Sequence, residues 1–97
     1  MAAIDIYALR QAILRTMKAF MGAPLTGEEL AEVSQEAAVR LADAQQVLDA
    51  FRGLAQMGYL EAIEGFGGRY HRISRKGLEQ LLPEFRQEPY IWGPKAV

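Results

Sequence analysis

The feature that most constrains this chain is a change of period at Gly58. Ahead of it, apolar residues recur at the three- and four-residue spacing that gathers side chains on one face of a helix. After it, Tyr59–Glu64 and Arg69–Ile73 read as two strands joined by Gly65-Phe66-Gly67-Gly68. Two strands closed by a glycine-rich tip make an antiparallel hairpin, here with a loop longer than the tightest turns. The expected architecture is therefore mainly α: a three-helix core, a two-stranded hairpin and a C-terminal helix.

The first helical segment, Ile4 to Met21, contains neither Gly nor Pro. Ile6, Leu9, Ile13, Met17 and Phe20 fall on one stripe, with Gln11, Arg15 and Lys18 opposite. Tyr7, Leu14 and Met21 form a second stripe that widens the apolar arc to about half the helix circumference, more than the minimum of roughly 100° for a surface helix. Gly22-Ala23-Pro24 ends the segment. Thr26-Gly27-Glu28-Glu29 has capping-box form and opens a second helix with Leu30, Ala31, Val33 and Ala37 inward. Nothing punctuates Ser34 to Asp43, and a turn is expected around Val39-Arg40-Leu41. Asp43-Ala44-Gln45-Gln46 opens a third helix to about Met57, with Ala44, Val47, Leu48, Phe51, Leu54 and Ala55 inward and Gly58 as its left-handed C-terminal residue. Ser74 caps a last helix through Leu82, and Pro83 stops it. The reading is one domain over residues 1–82 and a tail over 83–97, whose Phe85, Tyr90, Ile91 and Trp92 call for a docking surface on the domain or a partner.

Composition excludes several functions. The chain has 97 residues, a formal net charge of −1 and a pI of about 5.8, unlike a general polyanion binder, whose pI usually exceeds about 9. It has no cysteine, which excludes disulfides and thiolate metal sites. No apolar run approaches the roughly 20 residues of a membrane span, and no signal-peptide pattern opens the chain, so a cytoplasmic protein without membrane contact is expected. The lone His71 lacks partners of metal-ligand spacing and reads as a surface hairpin residue. Gly65–Gly68 follows a strand but opens no helix, so it is a hairpin tip rather than a phosphate loop. No nucleophile–base pair or carboxylate dyad emerges, and the expectation is a non-enzyme without cofactor or metal.

Two segments carry a family likeness. Phe51-Arg52-Gly53-Leu54-Ala55-Gln56-Met57-Gly58-Tyr59-Leu60 resembles the end of a winged-helix recognition helix, where two large apolar residues precede Gly and the first wing strand. Arg69-Tyr70-His71-Arg72-Ile73-Ser74-Arg75-Lys76-Gly77 resembles the second wing strand running into a Ser- or Thr-capped helix with a Lys-Gly pair. With the element order, the likeness covers residues 4 to 82 and is similar to MarR- and PadR-type transcriptional regulators. It implies duplex DNA as ligand, with the third helix in the major groove and the wing on the backbone. That places Gln45, Gln46, Asp49, Gly53 and Gln56 outward, Arg52 at their flank, and Arg69, Arg72, Arg75 and Lys76 as a basic cluster on phosphate.

Charge opens a second reading. Asp49 sits mid-face where phosphate would repel it, and Glu28 to Glu64 carries eight acids against Arg40 and Arg52. An acidic third helix suits a protein partner, and the wing cations equally suit a solvated edge strand. Gly53, with Ala50 and Met57, forms a small-residue strip that another backbone can approach, protein or DNA alike. Tyr7, Leu14 and Met21 on the first helix, with Tyr90 and Trp92 in the tail, are the expected homodimer contacts.

Overall fold

Local side-chain caps mark the start of four of the five described helices. A computed structural model of the chain describes residues 5–20, 23–65 and 67–81. Helix α1 spans Ile6–Ala19, and the Asp5 carboxylate accepts the Tyr7 and Ala8 amides at 3.0 and 3.2 Å. Helix α2, Gly27–Val33, opens on the capping box expected from Thr26 and Glu29, with both reciprocal bonds formed. After α3, Ala37–Leu41, helix α4, Ala44–Gln56, opens on the matching box of Asp43 and Gln46. Each box satisfies amides that a helix start otherwise leaves without partners.

The end of α4 is equally local. Gly58 takes φ 85°, its N–H donates to the Ala55 carbonyl, and the Tyr59 N–H donates to that of Leu54. This bond pair, with a left-handed glycine between helix and strand, is a Schellman motif. Strands β1 (Leu60–Ala62) and β2 (His71–Ile73) then pair antiparallel, with Leu60 opposite Ile73, Glu61 opposite Arg72 and Ala62 opposite His71. The ladder is shorter than the sequence period implies. Helix α5, Arg75–Glu79, begins at Ser74, whose hydroxyl accepts the Gly77 amide. Among the described residues the fold is thus five helices and one hairpin.

Three expectations are corrected. The break after α2 falls at Ser34–Glu36, and Val39-Arg40-Leu41 is helical in the extra element α3. The Ser34 hydroxyl is buried, lies 2.8 Å from the Thr16 hydroxyl of α1 and accepts the Glu36 amide, so a contact distant in sequence holds the bend. Arg15 of α1 clamps the same bend, its Nη2 lying 2.7 Å from Glu36 Oε1. The inner faces also differ: Val33, Ala37 and Ala44 are exposed, while Ala50 is buried. Finally, Leu14 lies in the core, because α1 packs against α2, α3, α4, α5 and β2 and leaves no lateral stripe open there.

The core joins Leu9, Ile13, Leu14 and Met17 of α1 to Leu30, Val39, Val47, Phe51 and Leu54 of the later helices. Leu60 and Ile73 close it from the hairpin. Each fully buried side chain of this size stabilises the fold by about 1.5–3 kcal/mol relative to exposure. A further backbone link fixes the hairpin's position. Leu25, just ahead of α2, exchanges two 2.9 Å hydrogen bonds with His71, so β2 is held on both sides. Opposite it, α5 seats against the strand start so tightly that a Cβ on Gly77 would collide with the Tyr59 carbonyl oxygen.

Candidate nucleic-acid interface

Because Leu25 ties β2 to the start of α2, the hairpin, α2 and α4 converge on one groove of about 340 Å³. Its apolar lining is Leu48 and Phe51 of α4, and its polar lining is Glu28, Arg52, Arg69 and His71. Gly27 also lines it, at a point where a Cβ would come within 2.7 Å of Leu48 Cδ2. His71 is partly buried and lines the groove. Its ring meets Phe51 edge-on at 5.1 Å between centroids, and Nδ1 lies 3.3 Å from the Arg69 carbonyl oxygen.

The basic cluster expected on the hairpin divides under this geometry. Arg72 donates to Glu61 across the strand pair at 2.8 Å, and Arg75 reaches Glu79 one helical turn on at 3.3 Å. Lys76 donates to the Met57 carbonyl at 2.9 Å and sits 4.9 Å from the Tyr59 ring centroid. Arg72 is thus engaged within the hairpin and Arg75 within α5, while Lys76 links α5 to the end of α4. Arg69 has no carboxylate partner among the described residues, and Arg52 Nη1 lies 3.8 Å from Asp49 Oδ1, beyond hydrogen-bond range.

The candidate residues of the third helix, now α4, are likewise split. Gln46 is spent on the Asp43 cap, and it lines with Asp49 a second groove, of about 330 Å³, toward Ile6 and Arg10 of α1. Asp49 accepts a 2.8 Å bond from the Gln45 side chain one turn back. Gly53 faces the Arg10 guanidinium of this chain, 3.8 Å from where its Cβ would stand, so that guanidinium already lies beside the small-residue strip. Gln56 is exposed at the end of α4. Of the ten candidates, Arg52 and Arg69 share the groove; the other eight do not line it.

The sequence singles out neither Glu28 as a groove residue nor Arg10, whose Nε is buried without a hydrogen-bond partner. Neither has a local sequence signal, since both are defined by packing between elements. Of the expected dimer contacts, Tyr7 is 54% exposed beside exposed Ile6 and Leu14 is buried, while Met21, Tyr90 and Trp92 lie outside the described residues. No group of three or more potential metal-ligating side chains occurs among the described residues, and no helix there is long and apolar enough to cross a membrane. No protein-family model, curated protein or solved structure matches the chain.

Proposed function

We propose that this chain is a winged-helix module that binds nucleic acid through the groove between α4 and the hairpin. One observation carries the reading: the groove brings together Arg52 and Arg69, two guanidiniums that no carboxylate holds within hydrogen-bond distance. A guanidinium without a carboxylate partner (Arg69) and one held only by a 3.8 Å ion pair to Asp49 (Arg52) suit phosphate, which accepts paired N–H donors. The element order supports the same reading, since a capped helix followed by a hairpin is the layout in which helix and wing approach a duplex together.

Two phosphate contacts per copy predict a log–log salt slope of about −1.8 on duplex, at roughly −0.9 for each, and about −1.4 on single strands, at roughly −0.7 for each. Titration of a labelled duplex and of its separated strands at low and moderate salt tests this. Arg69→Ala should weaken binding on every sequence alike and reduce the slope by about 1. Asp49→Asn should tighten binding by removing a like charge from the exposed face. Undetectable binding of every form at both salts ends the nucleic-acid reading.

A docking module for another protein is the second reading, and Asp49 favours it. The carboxylate stands 62% exposed in the middle of α4 with Gln45 and Arg52 arrayed along it, an arrangement that presents negative charge where phosphate would come. That reading predicts no salt-dependent binding of nucleic acid and loss of the partner in Asp49→Asn.

A further inference from the structure

The groove carries more than phosphate contact requires. A surface made only for phosphodiesters needs cations and has no use for a carboxylate, which repels them, or for an apolar floor. This groove has both: Glu28 of α2 and apolar Leu48 and Phe51 of α4 line it together with Arg52 and Arg69. Glu28 forms no hydrogen bond or ion pair among the described residues, so both of its oxygens remain open as acceptors. The occupant must therefore offer negative charge at its ends, a flat apolar face and hydrogen-bond donors.

We propose that the groove takes one unpaired guanine nucleotide, with Arg52 and Arg69 on the flanking phosphates and Glu28 on the base. This rests on the nucleic-acid reading above and narrows it. An unpaired base supplies a π-face for an apolar floor, whereas an intact duplex turns its phosphates outward and keeps its base faces stacked inside. Among the bases, guanine presents two adjacent donors, N1–H and the N2 amino group, on its Watson–Crick edge, and a carboxylate has two acceptors to meet them. Thymine and uracil present one N–H between two carbonyl oxygens, which a carboxylate repels. Cytosine and adenine offer a single amino group beside a ring nitrogen that accepts.

The test uses the full chain and labelled strands of about ten nucleotides, near the span of one small binding fold. Each strand is a thymidylate run bearing one central guanine, inosine or thymine, and the set is repeated in ribose form with uridylate. The guanine strand should bind about tenfold tighter than the all-thymine strand, the usual scale of a paired base contact. Inosine, which lacks the N2 amino group, should lose most of that gain. Glu28→Gln, at an exposed position and checked by an unchanged urea midpoint, should abolish the guanine preference while leaving the salt slope intact. Arg69→Ala should weaken all strands equally. Ribose and deoxyribose strands share this base chemistry, and the tighter set identifies the sugar. Equal binding of guanine and thymine strands overturns the proposal, as does a guanine preference that survives Glu28→Gln. Binding of duplex alone overturns it while sparing the nucleic-acid reading, and binding of nothing overturns both.

Discussion

Two helical glycines, Gly53 of α4 and Gly77 of α5, should respond to alanine with opposite signs. Helix propensity alone favours alanine over a helical glycine by about 1 kcal/mol. At Gly53 nothing opposes that gain, because the new Cβ would meet only the Arg10 Nη2 at an ordinary 3.8 Å. Gly53→Ala should stabilise by about 0.5–1 kcal/mol. At Gly77 the new Cβ would strike the Tyr59 carbonyl oxygen and come within 3.0 Å of Ile73 Cγ1. A backbone oxygen cannot rotate away, so α5 must shift off the hairpin. Overpacking of this kind costs about 1–3 kcal/mol. The shift also strains the 3.1 Å bond from the Gly77 amide to the Ser74 cap, a contact whose loss costs about 1 kcal/mol. Set against the propensity gain, Gly77→Ala should destabilise by about 2 kcal/mol. For a domain of this size, that lowers Tm by about 8–16 °C. Urea melts of the two variants and the parent, read by far-ultraviolet circular dichroism, measure both shifts. If Gly77→Ala melts at or above the parent, the packing of α5 on the Tyr59 carbonyl is wrong.

Three further expectations follow from the same packing. The Arg15 guanidinium holds the Glu36 carboxyl below its ordinary range, so the pair's stabilisation is full above the unfolded glutamate value and is lost as pH falls through the lowered folded value. Glu36→Gln should flatten that acid limb in urea midpoints taken against pH, and an unchanged limb refutes the coupling. Thr16→Val removes the buried hydroxyl facing Ser34 and should cost about 1–2 kcal/mol in a denaturant melt, because Ser34 loses a hydrogen-bond partner. If two copies pair through the first turn of α1, the parent should sediment as a dimer at tens of micromolar and Tyr7→Ser at the 10.8 kDa of one chain, whereas a parent at that mass throughout excludes the pairing.

What the sequence determines by itself is everything governed by neighbours a few residues away. The boxes at Thr26/Glu29 and Asp43/Gln46, the Ser74 cap, the left-handed Gly58 and the hairpin over Tyr59–Ile73 all satisfy backbone groups within a turn or two, so residue type and spacing suffice to place them. The rest was decided between elements. The bend at Ser34–Glu36 carries no Gly or Pro and exists because Thr16 and Arg15, on another helix, bind its side chains. Leu14 has the spacing of an open stripe, yet α1 is so surrounded by other elements that the stripe is covered there. The basic run Arg69–Lys76 is continuous in sequence, but cross-strand Glu61, Glu79 and the Met57 carbonyl take three of its four cations. Arg69 is left to meet Arg52 and Glu28 in a groove whose members lie far apart along the chain. Charge and hydrogen-bonding capacity are properties of residue type, but which of them remain unspent depends on what folding brings within about 3 Å.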